Sequence, residues 1–223
     1  MEKKTATPKV AEQIDFLFSQ LASGESVGNS IDKEAICMEL YRLEQEYDVL
    51  DQVFEENGKR GVVNIAGRVL VPALYCGIPE TYAYSRVHQR PVPVRDHDGK
   101  CALAKCDGTG TLLCNFEYDE ICDLYGSPSY YICGKRDAKE GMLYGVLDKA
   151  GNELVPCTMK YIDFMFNGYS LLYADGKIGA LSFDGIYIAP QFDELENEDI
   201  DFLRARKGNT WGYIDENGGF VED

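Results

Sequence analysis

Patterns that identify several whole classes of protein are absent from this sequence. No run of about 18 apolar residues occurs, so no helix is expected to span a bilayer. The opening residues, MEKKTATPKV, have no apolar stretch behind their lysines, so we expect no signal peptide and a cytoplasmic location. Basic residues are in deficit, with 22 lysines and arginines against 38 acids and a formal net charge of −16. Because such a surface repels phosphate groups, we expect neither nucleic acid nor a membrane as a partner.

Histidine is scarce, and the cysteines are not spaced to bind a metal. His88 and His97 are the only histidines, and no Cys-x-x-Cys occurs among the eight cysteines. We therefore predict no metal site, no cofactor, and reduced thiols that fill small apolar positions. An enzyme that pairs either histidine with Cys101 or Cys106, within residues 88–106, is an alternative hypothesis. No motif orients such a pair, so no catalytic residue is assigned and a non-enzymatic protein is predicted.

What the sequence does contain is a repeat, marked by two glycines six residues apart. The pairs are Gly61 and Gly67, Gly145 and Gly151, Gly179 and Gly185, and Gly212 and Gly218, with Ala102 and Gly108 as a weaker copy. Eleven residues after the first glycine stands Pro72, Pro156 or Pro190, with Leu113 in the weak copy. Three residues further stands Tyr75, Phe116 or Met159, and in the fourth copy Phe192 stands two residues after its proline. Shared offsets in five copies, separated by 41, 43, 34 and 33 residues, predict a repeat protein.

Each copy is predicted to begin with a β-hairpin, as in GVLDKAGNELVP. The second glycine supplies the positive φ that closes the turn, and the first leaves room for a neighbouring ring or backbone. We expect the proline to end the second strand, because it has no N–H to donate. The run after each hairpin, such as SYYIC, is predicted to be a third strand of the same unit. The turn is started by a polar side chain that folds onto the following backbone, at Asn64, Asp148, Ser182 and Asp215.

The pattern aromatic–Gly–apolar–apolar–Asp–x–x–Gly, followed by apolar–Pro–x–x–aromatic, resembles the WG-repeat family, also called KWG repeats. The resemblance covers residues 58–223, with units starting near 58, 99, 141, 176 and 208, and is most specific in WGYIDENG. It implies a β-rich array used for interactions, often in bacterial proteins, and it brings no catalytic residues. The family's tryptophan position is held in the five units by Arg60, Cys101, Tyr144, Ile178 and Trp211.

Residues 1–57 have helical rather than β periodicity. The first helix is predicted to begin at Pro8, and the second to carry its apolar stripe as far as Phe54 and to end at Asn57-Gly58. We expect these helices to form an α-helical hairpin that caps the array, with dimerisation as the alternative role. The predicted fold class is therefore α+β, with the hairpin followed by a mainly antiparallel β-repeat domain. Unequal periods favour an open array, and a closed β-propeller-like arrangement is the alternative.

Binding is the predicted function, through protein–protein recognition by the β-repeat surface. The aromatic candidates for the site are Trp211, Tyr213 and Tyr144. An acid-rich run between the fourth hairpin and the segment FLRAR adds Asp193, Glu194, Glu196, Glu198, Asp199 and Asp201. These acids are interpreted either as a solvated loop or as a face for a cationic partner. The alternative function is an inhibitor or immunity-type protein that masks a basic partner; the partner's identity and the oligomeric state are left open.

Overall fold

The computed structural model describes residues 4–23, 33–48, 51–79, 90–125, 127, 129–197 and 203–223. Within these residues the protein consists mostly of small antiparallel sheets, together with two α-helices. Neither described helix has the length and apolarity needed to cross a membrane. The chain forms two compact units: Met1–Gly99 with Leu103–Leu112, and Lys100–Ala102 with Leu113–Asp223. The predicted division into residues 1–57 and 58–223 stays a prediction.

The two helices are α1 (Pro8–Ser23) and α2 (Lys33–Glu46). Helix α1 begins at the predicted residue, and the Thr7 hydroxyl accepts a hydrogen bond from the Val10 N–H at 3.4 Å. This hydroxyl satisfies one of the N–H groups that have no partner at a helix start. The apolar stripes of the two helices meet in a buried cluster of Ile14, Ile36, Leu40 and Leu43.

The prediction that the second helix continues to Asn57 is wrong. Helix α2 ends at Glu46 and is followed by a two-residue strand, β2 (Tyr47–Asp48), which pairs in parallel with β1 (Lys4–Thr5). Phe54 lies instead in strand β3 (Gln52–Glu56). Asn57 and Gly58 have φ values of 52° and 72° and connect this strand to the next one. An Asn-Gly pair with two positive φ values fits a two-residue hairpin turn, whose twist matches that of paired strands.

The other described strands form five small sheets in which neighbours along the chain are neighbours in the sheet. The first sheet contains β3, β4 (Lys59–Val63) and β5 (Val69–Tyr75), and the second contains β6 (Val92–Arg95) and β7 (Cys101–Ala104). The third contains β8 (Glu120–Asp123), β9 (Tyr130–Asp137), β10 (Gly141–Asp148) and β11 (Glu153–Met159). The fourth contains β12 (Tyr161–Ile162), β13 (Tyr169–Ala174), β14 (Lys177–Ser182) and β15 (Tyr187–Phe192). The fifth contains β16 (Glu194–Glu196), β17 (Leu203–Lys207), β18 (Thr210–Ile214) and β19 (Phe220–Glu222).

The predicted turn chemistry is confirmed in four of the hairpins. In each, a side-chain oxygen accepts a hydrogen bond from the backbone N–H four residues later, at 2.7–3.0 Å. The glycine that closes each turn has a φ between 80° and 89°. The side-chain hydrogen bond and the glycine conformation therefore define the same kind of turn in all four hairpins. The turn-starting residues are Asn64, Asp148, Ser182 and Asp215, and the closing glycines are Gly67, Gly151, Gly185 and Gly218.

The first glycine of each repeat lies where a side chain would collide with the next strand. A Cβ on Gly61 or Gly145 would stand 2.5 Å from the carbonyl oxygen of Val71 or Val155. The strand pairing also shifts register beside Gly61, Gly145 and Gly179, which indicates a β-bulge. The prediction that backbone lies close against this glycine is confirmed, because the bulge brings the next strand toward it.

The prediction that the proline ends the second strand is wrong. Strands β5, β11 and β15 each continue past their proline, and their last pairing residues are Tyr75, Met159 and Phe192. Each of these strands is the outermost of its sheet. A proline is tolerated in an edge strand, because its missing N–H can face away from the neighbouring strand.

The prediction that the run after each hairpin is the third strand of that hairpin's repeat is wrong for three runs. Strands β9, β13 and β17 pair with the hairpin that follows them, and the third, fourth and fifth sheets have four strands rather than three. The turn between β13 and β14 explains one case, since Asp175 and Gly176 have φ values of 50° and 71°. Two positive φ values again indicate a two-residue hairpin turn.

Within the unit of Lys100–Ala102 and Leu113–Asp223, successive sheets share apolar cores. One cluster contains Val146 and Val155 from the third sheet with Leu172 and Leu181 from the fourth. A second cluster joins residues of the fourth sheet, including Phe192, to residues of the fifth. Each described sheet in this unit thus packs on its neighbour along the chain, which is the arrangement expected of a repeat protein. The choice between an open array and a closed ring stays a prediction.

Candidate binding surfaces

The only tryptophan lies on the outer face of the fifth sheet. Along β17, Leu203 and Ala205 are buried while Arg204 is exposed, so alternation turns the arginines outward. The guanidinium carbons of Arg204 and Arg206 stand 4.9 and 5.9 Å from the centre of the Trp211 ring. These distances permit cation–π attraction on one sheet face. The Trp211 side chain is half-buried, and both arginine side chains lie over its ring.

Tyr213 extends the same outer face. It pairs directly with Arg204 across β17 and β18, and its side chain is exposed. Tryptophan, tyrosine and arginine are the residues most enriched at binding hot spots, since each offers a large apolar surface and a hydrogen-bonding group. The structure thus brings Trp211 and Tyr213 together, as members of one face.

The third aromatic candidate, Tyr144, lies elsewhere. It belongs to β10 and packs against the core shared by the third and fourth sheets. Burial raises the pKa of its hydroxyl, and the negative charge and hydrogen bond of Glu120 raise the pKa further. Tyr144 and Trp211 occupy the same position in their repeats, directly before the first glycine. They lie in different sheets, however, and only Trp211 belongs to the face that carries Tyr213.

The first half of the acid-rich run is a strand rather than a solvated loop. Glu194 and Glu196 lie in β16 and form ion pairs with Arg206 and Arg204, the second at 3.9 Å. Asp193 accepts hydrogen bonds from the Lys177 ammonium at 2.6 Å and from a backbone N–H at 2.7 Å. Both hydrogen bonds lower its pKa, with Lys177 as the main cause. The remaining acids of the run, Glu198, Asp199 and Asp201, lie outside the described residues.

An exposed aromatic cluster, formed by Tyr125, Phe164 and Phe166, was not predicted from the sequence. The three side chains are 80%, 51% and 54% exposed. The Phe164 ring centre lies 6.4 Å from that of Tyr125 and 6.2 Å from that of Phe166, both edge to face. Met165 between the two phenylalanines is buried. The alternation in DFMF was a usable signal, because period two places Phe164 and Phe166 on the face opposite a buried residue.

The backbone holds this aromatic cluster in place. The Met165 N–H donates a hydrogen bond to the Tyr125 carbonyl oxygen at 2.8 Å, which ties the two segments together. The carboxylate of Asp163 accepts a hydrogen bond from the Phe164 N–H at 2.8 Å. A negative charge therefore stands beside the rings, and the rings are positioned by hydrogen bonds rather than by burial.

The described members of the proposed Cys–His pair are in unlike environments. His97 is exposed, with Nε2 3.3 Å from an oxygen of Asp98, while Cys101 is buried in β7. Burial raises the pKa of Cys106 to about 12, so its thiol stays protonated near neutrality and is a weak nucleophile. His88 lies outside the described residues, and the enzyme hypothesis stays a hypothesis. The ligand atoms of Asp96, His97 and Asp98 approach within 4.8 Å, but exposed groups of this kind commonly lie together without an ion.

No family model matches this chain, and no curated protein matches it significantly. The resemblance to WG repeats therefore stays a prediction from the motif.

Proposed function

We propose that this chain is a non-enzymatic protein-binding module of WG-repeat type, in which a helical hairpin caps a β-repeat array. The observation that carries the proposal is the exposed aromatic cluster of Tyr125, Phe164 and Phe166. Each ring leaves half or more of its surface in water. Covering such surface stabilises a complex by about 25 cal/mol per Å² of apolar area removed from water.

The edge-to-face geometry strengthens this proposal. Rings that already lie against one another in the free protein lose little rotamer freedom when a partner covers them. Binding hot spots have the same character, since they consist of a few large, preorganised side chains surrounded by polar ones. An exposed cluster of this kind on a protein of ordinary apolar content is typical of an interaction site.

The proposed partner is a protein whose contact surface is apolar with basic side chains at its edge. The formal net charge of −16 favours the approach of cations over a range of about 10 Å at moderate salt. Asp163 lies beside Phe164 and would pair with one such cation. The aromatic faces themselves attract lysine and arginine side chains.

The test is quantitative capture with matched variants. Phe164→Ser combined with Phe166→Ser removes two rings of the aromatic cluster, and Leu74→Ser removes a similarly exposed apolar side chain, 56% exposed, in β5. Proteins captured from the native host by the wild-type chain and by Leu74→Ser, but not by the double variant, are the expected result. Circular dichroism must show that all three chains are folded. Equal capture by the double variant would reject the aromatic cluster as the binding surface.

The binding constant of a partner so identified separates apolar from electrostatic recognition. We expect the double variant to bind at least tenfold more weakly at every salt concentration, because the lost contacts are apolar. Raising the salt concentration should slow association of the wild-type chain, because it screens charge steering.

The alternative, an inhibitor or immunity-type protein that masks a basic partner, relies on the acid-rich run. Asp193, Glu194 and Glu196 already have cationic neighbours within the chain. These ion pairs reduce the local negative field, so this alternative depends on the acids beyond the described residues.

A further inference from the structure

Two cysteines meet across a strand of the third sheet. Cys133 lies in β9 and Cys157 in β11, on either side of β10, and their sulfur atoms are 3.5 Å apart. In an ordinary sheet, strands two apart are separated by about 9.5 Å, and a side chain of the middle strand stands between them. This pair therefore needs a local cause.

The cause is Gly145, which lies directly opposite Cys133 in the pairing of β9 with β10. Gly145 has no side chain to separate the sulfurs. On its other side the β-bulge brings β11 inward, so the backbone nitrogen of Cys157 lies 2.9 Å from the position of a Cβ on Gly145. The same glycine that defines the sequence repeat thus makes the thiol–thiol approach possible.

The two thiols have unlike surroundings. Cys133 is buried, whereas Cys157 is partly exposed. The pKa of Cys157 is lowered, chiefly by its hydrogen bond with Cys133, with the nearby Lys135 ammonium as a further cause. The pKa of Cys133 is raised by the same hydrogen bond and by burial. Cys157 is therefore the sulfur of the pair that a dissolved oxidant can reach.

We propose that Cys157 and Cys133 form a reversible peroxide-modification site, with Cys157 as the attacking sulfur and Cys133 as the resolving sulfur. The Cys157 thiolate attacks one oxygen of hydrogen peroxide, the O–O bond breaks, and the departing hydroxide takes a proton to become water. The Cys133 sulfur then attacks the resulting Cys157 sulfenic acid, and a second water leaves as the disulfide forms. Two thiols are oxidised, one peroxide is reduced, and an external thiol restores the pair by exchange.

The geometry is suited to the second step. A disulfide bond is about 2.05 Å long, so the sulfurs, now 3.5 Å apart, must approach by about 1.5 Å. The bond would tie β9 to β11 over β10 and close a loop of 24 residues. Closing such a loop restricts the unfolded chain, so oxidation should raise the melting temperature, by an amount on the order of 5 °C.

The experiment treats the full reduced chain with hydrogen peroxide, quenches it with acid, and maps disulfides by mass spectrometry without a reductant. The expected product links Cys133 to Cys157 and is reversed by dithiothreitol. Cys133→Ser should leave a sulfenic acid at Cys157 that dimedone labels. Cys157→Ser should abolish the disulfide and leave Cys133 unlabelled.

Cys122 is the internal control, because it is an exposed cysteine on β8 of the same sheet. We expect Cys157 to be oxidised at least tenfold faster than Cys122. Equal rates at the two cysteines, or a first disulfide that joins any other pair, would overturn the proposal. The melting temperature gives a separate reading, since the rise should occur in the wild-type chain and in neither serine variant.

Discussion

The carbonyl oxygen of Val155 lies 2.5 Å from the position that a Cβ atom on Gly145 would occupy. A carbon and an oxygen that are not bonded cannot approach so closely, and both belong to paired strands that cannot easily separate. The absence of one methyl group therefore permits the β-bulge, the burial of the strand that follows it, and the meeting of Cys133 with Cys157.

Replacing Gly145 with alanine should destabilise the protein. The added methyl would overlap the backbone of β11, so we expect the free energy of unfolding to fall by about 2–3 kcal/mol, as for an overpacked core. Urea denaturation followed by circular dichroism measures the loss.

Gly134→Ala is the matched control for this substitution. Gly134 lies in β9 of the same sheet, and the three atoms nearest to a Cβ there belong to the side chains of Glu120 and Met142, which can move. We expect a loss below about 1 kcal/mol for this control. Equal losses for the two variants would show that the close backbone approach at Gly145 is not what requires glycine.

Removing the turn-starting carboxylate at Asp148 should weaken the hairpin of β10 and β11. Asp148 Oδ1 accepts hydrogen bonds from the backbone N–H groups of Ala150 and Asn152, both at 2.8 Å. Asp148→Ala should therefore lower the free energy of unfolding by about 1–2 kcal/mol, measured by urea denaturation. Asp148→Asn keeps an acceptor oxygen and should lose less. Lys149→Ala, on the exposed tip of the same turn, should have an effect within about 0.5 kcal/mol, and a larger effect there would point to a different role for the turn.

The ion pair of Asp193 should make stability depend on pH in the acid range. The pKa of Asp193 is lowered from 3.8 in the folded chain, so the folded state favours the charged carboxylate. The stabilisation is complete above a pH of about 3.8 and is lost as the pH falls through the lower pKa of the folded state. The difference in melting temperature between the wild-type chain and Asp193→Asn should therefore shrink as the pH is lowered from 5 to 2. Glu216→Gln, at an exposed turn, is the control, and a similar pH trend for that variant would contradict the assignment to Asp193.

Arg204 and Trp211 should be energetically coupled. The guanidinium carbon lies 4.9 Å from the indole centre on a partly exposed sheet face, and a contact of this kind contributes about 0.5–1 kcal/mol. A double-mutant cycle with Arg204→Met and Trp211→Leu, followed by urea denaturation, measures the coupling. The parallel cycle that combines Lys207→Met with Trp211→Leu should give a coupling near zero. If the first cycle also gives none, the two side chains are neighbours without a net interaction.

The parts of the fold that could be predicted are those whose causes lie close together along the chain. Asp148 and Gly151 are three residues apart, and the hydrogen bonds of their turn join residues no more than four apart. A short polar side chain followed by a glycine is enough to specify such a turn. The first helix is a similar case, because Thr7 and Pro8 define its start through adjacent residues.

The wrong predictions, for the end of the second helix and for the prolines, concern local patterns that fit two different structures. Phe54 continues a helical stripe, and Asn57-Gly58 can end a helix or turn a hairpin. Pairing with β4 decides between them, because strand hydrogen bonds form only when the partner strand is in place. The prolines are a similar case. A proline in the sequence predicts that one backbone hydrogen bond between strands is missing. Only the order of strands in the sheet shows that the missing N–H faces away from the neighbouring strand.

The repeat, its hairpin turns and the glycines that admit close backbone approach can be read from the sequence, because each depends on backbone conformation at identifiable residues. Which side chains meet depends instead on how the strands are arranged in three dimensions. The rings of Tyr125 and Phe164 meet because the Met165 N–H donates a hydrogen bond to the Tyr125 carbonyl oxygen, and Cys133 and Cys157 meet because two strands flank a glycine in a third. The cysteine pair depends on strand order and register, and a shift of one residue would turn its side chains to the opposite face.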